Sequence, residues 1–501
     1  MAGKVWLVGA GPSDIELMTV KGKKILEKAQ VVVYDALVGK SILGIIPKEA
    51  KTINVGKRSN NHTMKQEEIN KILVKNALEG KQVVRLKGGD PFLFGRGGEE
   101  LEALVEAGVT YEVVPGVTSA ISVPAYNGIP VTHREYSSSL HVITAHKKKN
   151  EPLNIDFASL INLKGTYVFL MGVSALEEIC NGLMNAGMEG ETKAAVLEQG
   201  TTARQRKVVA TLATLKKEAE KEEIQAPAII VVGEVCGLSE KFSWYEKGEL
   251  FGNRILVTRP RKLISRMAES LREKGAEVLE VPTISIVPIE ENQKLKEALQ
   301  NLSHYTMLVF TSPSGVQVFF DKLKEEKMDI RKLAHLKIAV IGKGTKKELE
   351  ERGIMVDYIP KVYEGKALGQ LLAQVCTAKD RILLPRAEEG NRELVEEAAK
   401  SGAKIFDIPI YRTVYEKSSV ISIEQEVEEG SLDYVTFTSA STVKSFVEMA
   451  GKISYKKVKA VCIGAKTAEA AQKYGMETFI SKEATIDSMV EKIVELSQNR
   501  E

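Results

Sequence analysis

The sequence predicts an α/β protein in two parts. Strand-like apolar runs alternate with helical patterns along the chain, beginning with VWLVGAG, ELMTVKGKKILEKA and VVVYD, and such alternation is typical of largely parallel sheets. The pattern relaxes over residues 240–254 before a fresh strand-like run, ILVTRP. We therefore place the main domain boundary near Leu250.

Length, composition and charge narrow the class of protein. A chain of 501 residues is long enough for two to four domains, and 44% apolar residues can supply substantial cores. The formal charge of +3 is too small to indicate nucleic acid by itself. The longest apolar stretches are far too short to span a bilayer, and the amino-terminal segment lacks the separate charged and apolar regions of an export signal.

Cysteine and histidine spacing indicates neither a disulfide framework nor a metal site. The histidines form no HxH or HxxxH cluster, and the cysteines lie far apart with no CxxC pair, at Cys180, Cys236, Cys376 and Cys462. Reduced thiols are typical of the cytoplasm. We therefore expect a cytoplasmic protein that holds no metal and enters no membrane.

An internal duplication occupies the second part. RILVTRPRKLISRMAESLREKGAEVLEVP at 254–282 matches RILLPRAEEGNRELVEEAAKSGAKIFDIP at 381–409, and MLVFTSPSGVQVFF at 307–320 matches YVTFTSASTVKSFV at 434–447. Both matches have the same offset along the chain. Two copies of one βα unit set predict two similar lobes, with related loops on either side of a cleft.

The glycine-rich turn VGAGPSD, residues 8–14, raises the question of a dinucleotide. It begins like GxGxxG, and Asp35 ends the next strand-like run near where a ribose-binding acid would lie. The third glycine position is Asp14, however, whose carboxylate would repel a pyrophosphate, and Pro12 removes a backbone donor. The turn favours close approach of its backbone to a ligand other than a diphosphate. The alternative is a tight turn with no ligand, and an NAD oxidoreductase ranks lowest.

Two further strand-like runs end in small residues. Gly88-Gly89-Asp90-Pro91 follows VVRLK, and PGVTSA follows YEVV. In open α/β sheets, ligands bind at the carboxyl ends of the strands. The three turns together predict one pocket lined by backbone, suited to a flat or folded small molecule.

In these segments and in EQGTTARQRKVVATL, residues 1–240 resemble the uroporphyrinogen-III C-methyltransferases, which belong to the tetrapyrrole methylases. The resemblance implies a domain over residues 1–245 that binds S-adenosylmethionine between two α/β lobes. Ser13 stands where the family usually has glycine, a change that requires only a negative φ. The implied cofactor contacts are Pro12, Gly88, Gly89, Asp90, Leu93, Thr118, Ser119, Met171 and Gly200.

The same resemblance implies an acid/base pair, Asp35 and Lys57, because the macrocycle must lose a proton after methylation. From the residues alone, a turn cap at Asp35 and a solvated Lys57 would be the better interpretation. The substrate is a polycarboxylate, so its pocket needs cations. The basic residues that flank the matched motifs are Arg85, Lys87, Arg96 and Arg134.

Residues 252–501 resemble uroporphyrinogen-III synthase in VTRP, VFTSPSGVQVFF, LLPRAEEGNREL, IPIYRTV and CIGAKTAEAA. The resemblance implies a two-lobed α/β fold, in which the chain crosses between lobes at 282–288 and 409–414. One lobe would combine 252–284 with 413–501, and the other would hold 285–412.

Ring closure of hydroxymethylbilane by such an enzyme expels a hydroxyl group, and the resemblance implies Tyr411 as its proton donor. Arg259 and Arg386, related by the duplication, are candidates for substrate propionates or lobe contacts. Capping of the following helix is an equally good interpretation for each hydroxyl side chain at the strand ends. The candidates for substrate binding among these are Thr311, Ser312, Thr438, Ser439 and Thr467.

Both resemblances together predict a bifunctional enzyme of tetrapyrrole synthesis. The second half would make uroporphyrinogen III, and the first half would methylate it twice to precorrin-2, toward sirohaem or cobalamin. We expect small tetrapyrroles as partners, no nucleic acid, and a homodimer formed through the methyltransferase half. A ribosomal RNA methyltransferase of the same fold is one alternative, and a second half that only binds a ligand is another.

Overall fold

The computed structural model describes residues 3–56, 64–146, 153–258, 261–281, 284–390, 392–415 and 420–499. Within these ranges the strands form four five-stranded sheets, two before Leu250 and two after it. We call these two parts the first half and the second half. Across the same ranges, no helix combines the length and the apolar character needed to span a membrane.

The first sheet is wholly parallel, in the order β3-β2-β4-β1-β5. Val31 and Val33 belong to one buried apolar cluster and Val32 to another, so both faces of the sheet are covered. The strands are β1 (Lys4–Gly9), β2 (Val31–Tyr34), β3 (Lys51–Asn54), β4 (Gln82–Lys87) and β5 (Thr110–Val114). The helices are α1 (Val20–Leu26), α2 (Lys40–Leu43), α3 (Gln66–Leu78), α4 (Gly97–Glu106) and α5 (Ser119–Tyr126).

The second sheet is mostly antiparallel, in contrast to the parallel sheets that the sequence predicts. Its order is β6-β7-β10-β8-β9, and only β6 and β7 run parallel. The short loop 199–205 joins β8 to β9, and a connection of this length suits antiparallel neighbours. The strands are β6 (Leu140–Thr144), β7 (Thr166–Leu170), β8 (Lys193–Glu198), β9 (Arg206–Thr211) and β10 (Ala228–Val232). The helices are α6 (Phe157–Asn162), α7 (Leu176–Asn185) and α8 (Leu215–Lys221).

The second half contains ten strands and ten α-helices within the described ranges. The strands are β11 (Arg254–Val257), β12 (Glu277–Glu280), β13 (Ile284–Pro288), β14 (Met307–Phe310), β15 (Lys337–Val340), β16 (Arg381–Ala387), β17 (Lys404–Tyr415), β18 (Tyr434–Phe437), β19 (Lys459–Cys462) and β20 (Glu477–Ile480). The helices are α9 (Arg261–Glu273), α10 (Gln293–Gln300), α11 (Pro313–Glu325), α12 (Lys343–Glu350), α13 (Gly365–Val375), α14 (Arg392–Ala399), α15 (Ile423–Glu428), α16 (Ala440–Ala450), α17 (Ala465–Gln472) and α18 (Ile486–Gln498).

The duplication is visible in the strand order of the two sheets of the second half. One sheet runs β12-β11-β18-β19-β20 and the other β13-β17-β16-β14-β15. The matched segments place β11 with β16, β12 with β17 and β18 with β14, so the shared strands follow the same order in both sheets. β13 and β17 pair antiparallel, with Ile284 opposite Tyr415 and Pro288 opposite Tyr411. The two segments that the resemblance implies as crossings therefore lie side by side.

Candidate functional site

Three glycine turns meet at the carboxyl edge of the first sheet. They follow the neighbouring strands β4, β1 and β5. Gly11 and Gly89 exchange two backbone hydrogen bonds of 3.1 and 2.8 Å. A Cβ on Gly116 would lie 2.2 Å from the Gly89 oxygen, and one on Gly9 would lie 2.4 Å from the Gly116 Cα. Only glycine allows this backbone contact.

Asp90 fastens two of these turns together. Its Oδ1 accepts hydrogen bonds from the N–H groups of Phe92, at 2.8 Å, and Leu93, at 3.1 Å. Its Oδ2 accepts one from the Gly116 N–H at 2.9 Å. Hydrogen bonds to a carboxylate are stronger than neutral ones. Asp90 thus fixes the shape of the pocket edge as well as placing a negative charge there.

Loop 199–205 adds residues from the second sheet. The Thr201 hydroxyl donates to the Pro12 carbonyl oxygen at 3.1 Å. A Cβ on Gly200 would lie 2.3 Å from Cγ1 of Val123 on α5, so glycine is required there as well. Pro12 and Gly200, two of the predicted cofactor residues, are thereby brought to the same junction between the first two sheets.

The other predicted cofactor residues lie at strand and helix ends. The Thr118 hydroxyl caps α5 by accepting from the Ala120 N–H at 3.3 Å, and Ser119 is the first residue of that helix. Met171 directly follows β7, with φ at 57° and its side chain 49% exposed. An exposed thioether at a strand end is free to contact a ligand.

Asp35 follows β2 and faces the Gly88 turn. Its Oδ1 accepts from the Leu37 N–H at 3.1 Å and from the Gly88 N–H at 3.4 Å. Its Oδ2 lies 3.6 Å from the Arg85 guanidinium, and about a quarter of its side chain is exposed. Lys57, its predicted partner, lies outside the described residues, so the acid/base pair stays a prediction.

Arg85 and Lys87 are buried, which contradicts their predicted role as direct contacts of substrate carboxylates. They are 3% and 4% exposed. Both bind Oε1 of Glu100, Arg85 at 2.9 Å and Lys87 at 3.0 Å. Burial, and then the neighbouring Arg85 guanidinium, lowers the pKa of the Lys87 ammonium. Arg85 lies close to the Asp35 carboxylate, and both cations pair with the buried Glu100. They lie in the interior because β4 is a central strand whose side chains face the core.

Arg96 and Arg134 remain on the surface, as a role in substrate binding requires. Arg96 begins the first turn of α4 with φ at 57°, and its Nε lies 3.6 Å from the exposed Glu99. Arg134 is exposed in the segment between α5 and β6. Both side chains are accessible to an anionic group.

Ser13 contradicts the expectation of a negative φ. Its φ is 125°, a backbone conformation that favours glycine. The Ser41 hydroxyl donates to the Ser13 carbonyl oxygen at 3.0 Å, and a Cβ on Gly39 would lie 2.5 Å from that same oxygen. The surrounding turn thus holds Ser13 in a strained conformation that the family's usual glycine would adopt without cost.

Tyr411 and Ser312 meet in the second half. Tyr411 lies on β17, is 5% exposed, and its hydroxyl is 2.8 Å from the Ser312 Oγ. Burial raises the pKa of the Tyr411 hydroxyl, and the hydrogen bond with Ser312 lowers it in part. The phenol is therefore neutral near pH 7 and keeps a proton to donate.

Two of the five hydroxyl candidates cap helices. Ser312 caps α11 by accepting from the Gly315 N–H at 2.9 Å, and Ser439 caps α16 by accepting from the Thr442 N–H at 3.3 Å. These contacts confirm the capping interpretation for both serines. Thr467 is 5% exposed within α17, and its role in substrate binding stays a prediction. Thr311 and Thr438 stay half-buried at the strand ends.

Arg386 binds its own lobe. Its Nε lies 2.7 Å from Oδ1 of Asp407 and its Nη2 2.5 Å from Oδ2, a bidentate pair between β16 and β17. Such a pair holds neighbouring strands together, so the arginine is not free for a substrate propionate. Arg259, its counterpart, lies outside the described residues.

Glu100 is a residue that the sequence reasoning missed. It is fully buried, and its Oε2 has no hydrogen-bond partner among the described residues. Arg85 and Lys87 are two residues apart on one strand, so both point to one face of the sheet. Two cations on a buried face require a buried anion. This rule predicts a buried carboxylate beside Arg85 and Lys87, and the structure shows that it is Glu100.

The sequence matches two families, each over almost half of the chain. One is described as Tetrapyrrole (Corrin/Porphyrin) Methylases, at residues 4–216, and the other as Uroporphyrinogen-III synthase HemD, at 265–491. The Porphyrin biosynthesis protein HemD of Ruminiclostridium josui is 47% identical, over 99% of this chain and 98% of its own. The chain belongs to both families. It is a tetrapyrrole biosynthesis enzyme, and both family resemblances and the α/β fold class are confirmed.

Further relatives match the methylase half alone. The S-adenosyl-L-methionine-dependent uroporphyrinogen III methyltransferase of Methanosarcina barkeri is 52% identical, over 48% of this chain and 94% of its own. The solved uroporphyrin III C-methyl transferase of Thermus thermophilus is 38% identical, over 46% of this chain and 98% of its own, with a TM-score of 0.40. The match to the Methanosarcina barkeri protein thus covers the methylase half of this chain and nearly all of that relative.

Proposed function

We propose that the chain is bifunctional. The second half converts hydroxymethylbilane to uroporphyrinogen III, and the first half methylates that product twice with S-adenosylmethionine to give precorrin-2. The observation that carries the methyltransferase assignment is the contact of Gly9, Gly89 and Gly116, which leaves a backbone edge beside the Asp90 carboxylate. The activities named for its relatives support the same assignment.

The residues at this edge fit a cationic sulfur compound better than a diphosphate. A Cβ on Gly89 would meet nothing within 4 Å, so the turn borders open space. Asp14 caps the following turn by accepting from the Glu16 N–H at 2.9 Å, and its other oxygen accepts from the Tyr126 hydroxyl. Its charge opposes an anion at the backbone amides where a pyrophosphate would bind. Asp90, in contrast, offers a carboxylate to a positive charge.

S-adenosylmethionine, when bound, supplies a methyl group on a positively charged sulfur. Pro12, Asp90, Met171 and Gly200 would hold it, and the turns would orient the attacking ring carbon, because alignment of two reactants provides much of the acceleration. Asp35, whose Oδ1 is bound by the Gly88 N–H, would take part in removing the ring proton, together with Lys57. Arg96 and Arg134 would bind carboxylates of the macrocycle.

In the second half, Tyr411 would protonate the departing hydroxyl, which leaves as water. Its neutral phenol donates the proton, and the hydrogen bond from the Ser312 hydroxyl at 2.8 Å stabilises the phenolate that remains until solvent water reprotonates it. Such general acid catalysis is worth about 10²- to 10⁴-fold. Thr311 and Thr438 would bind substrate carboxylates through hydroxyl groups at the strand ends.

The test supplies the full chain with hydroxymethylbilane and labelled S-adenosylmethionine. Asp90→Ala should abolish label transfer while ring closure continues, and Tyr411→Phe should slow ring closure while label transfer to uroporphyrinogen III added directly stays at the wild-type rate. Asp487→Asn, which changes an exposed carboxylate paired with Arg266, is the matched control and should leave both steps intact. The two-site assignment is wrong if Asp90→Ala and Tyr411→Phe damage both steps equally. Label that enters RNA instead of the macrocycle would support the ribosomal RNA alternative.

A further inference from the structure

Loop 199–205 of the first half contacts the second half and the proposed cofactor site at the same time. On one side, the Thr201 hydroxyl donates to the Pro12 carbonyl. On the other side, the Ala203 N–H donates to Oε2 of Glu277 at 3.0 Å. The Arg204 guanidinium reaches Oδ2 of Asp433 at 3.2 Å. A single loop thus joins residues of both halves.

The loop carries two unusual backbone conformations around Gly200. Gln199 has φ at 45° and Thr201 has φ at 68°, although neither is glycine. Such conformations persist only where the surroundings fix them. Within the first half, the Gln199 N–H donates to the Pro227 oxygen, and the Thr201 N–H donates to Gln205 Oε1. The contacts from the second half add a further restraint on the opposite side of the loop.

Glu277 and Asp433 can restrain the loop, because hydrogen bonds within the second half fix their own carboxylates. Oε2 of Glu277 also accepts from Nη2 of Arg254 at 3.1 Å. Oδ2 of Asp433 also accepts from the Arg254 N–H at 2.8 Å. Their side chains are only 13% and 14% exposed. Both carboxylates therefore lie at the amino-terminal ends of neighbouring strands, where β11 pairs with β12 and β18.

The junction around the loop contains open space. A cavity of about 280 Å³ lies between the halves, with Asp14, Thr201, Tyr245 and Glu277 among its lining residues. The loop therefore borders a cavity on the side of the second half. Because side chains do not fill this space, the hydrogen bonds to Glu277 and Asp433 provide contacts between the loop and the second half that packing does not.

We propose that Glu277 and Asp433, residues of the second half, are positioning residues for the methyltransferase site of the first half. They hold loop 199–205 in the conformation that presents Gly200 and braces Pro12, and they thereby raise the affinity for the methyl donor. This inference rests on the proposed methyltransferase function. It makes the synthase half a structural part of the methyltransferase site.

The experiment compares the full chain with Glu277→Gln, Asp433→Asn and the double variant. Isothermal titration calorimetry with S-adenosylhomocysteine measures affinity at the cofactor site. Each variant keeps an acceptor oxygen but loses its charge, and the difference between a charged and a neutral hydrogen bond is worth about 5-fold, so the double variant should bind about 3- to 30-fold more weakly. The KM for S-adenosylmethionine should rise with kcat nearly unchanged, and ring closure should stay at the wild-type rate. Asp487→Asn, on the same lobe but in an exposed ion pair, should change none of these.

Hydrogen–deuterium exchange supplies the second readout. The amides of residues 199–205 should exchange faster in the double variant, while those of the Gly88–Gly89 turn keep the wild-type rate. Unchanged affinity in the double variant would overturn the proposal, and so would unchanged exchange. A wild-type chain that does not bind S-adenosylhomocysteine at all would instead overturn the proposed function, and the exchange data would still report whether the two carboxylates hold the loop.

Discussion

Replacement of Ser13 by glycine should stabilise the first half. Ser13 has φ at 125°, a region that costs a residue with a side chain about 1–3 kcal/mol. Glycine removes this strain, but it loses about 0.5–1 kcal/mol more conformational entropy on folding. The net gain is therefore about 0–2.5 kcal/mol, with a midpoint of ~1 kcal/mol. For a unit of 150–250 residues, each kcal/mol raises the midpoint of unfolding by about 2–4 °C.

Differential scanning calorimetry of the full chain measures this shift in the transition that belongs to the first half. Ser159→Gly is the matched control, because Ser159 is exposed within α6, where glycine lowers stability by about 0.5–1 kcal/mol. The two variants should thus shift the transition in opposite directions. If Ser13→Gly lowers the midpoint as Ser159→Gly does, the backbone at Ser13 is not strained and the reasoning fails.

Three more outcomes follow from contacts described above. Gly116→Ala places a Cβ 2.2 Å from the Gly89 oxygen, so methyl transfer should fall by about 10- to 100-fold, with ring closure unchanged as the internal control. Arg386→Met breaks the bidentate ion pair with Asp407, whose side chain is one-third exposed. Chemical denaturation should show that the free energy of unfolding falls by about 1–3 kcal/mol. A fall of less than about 0.5 kcal/mol would contradict this expectation. The four cysteines are buried, and burial raises the pKa of each thiol. The pKa is about 11 for Cys180 and Cys376 and about 12 for Cys462. Iodoacetamide at pH 8 should therefore modify Cys180, Cys236, Cys376 and Cys462 only after unfolding, and mass spectrometry would detect the modification.

The backbone framework of the proposed methyltransferase site was predictable, because glycine allows a close approach of backbones that other residues do not. Gly9, Gly89 and Gly116 each follow a strand-like run, and parallel strands bring their carboxyl ends to one edge. The duplication likewise predicts two related lobes, and the shared strand order of their sheets agrees with it. Patterns of apolar residues do not reveal strand direction, however, which is why the antiparallel pairing of β8, β9 and β10 differed from expectation.

Side-chain roles were harder to predict, because charge alone does not show whether a residue is buried. Arg85 and Lys87 precede a glycine motif, yet both are buried, where they pair with the carboxylate of Glu100. Ser13 was expected to have a negative φ, but the Ser41 and Gly39 contacts fix a positive φ that local sequence does not encode. Thr467 carries a hydroxyl group that could bind a substrate, but the residue is almost fully buried. For Arg85, Lys87 and Ser13, contacts with residues that lie 13 or more positions away in the sequence decide the outcome.

The divided lobe of the second half has a consequence for biosynthesis of the chain. Arg254 and Asp433 are hydrogen-bonded neighbours in one sheet but lie 179 residues apart in sequence. A ribosome that adds ~5–20 residues per second needs on the order of 10–40 s to cover that distance. During this interval the nascent β11 and β12 lack β18, while every strand of the intervening lobe emerges. That lobe can therefore fold first, and the bridge from Asp433 to the methyltransferase site is among the last contacts the newborn protein completes.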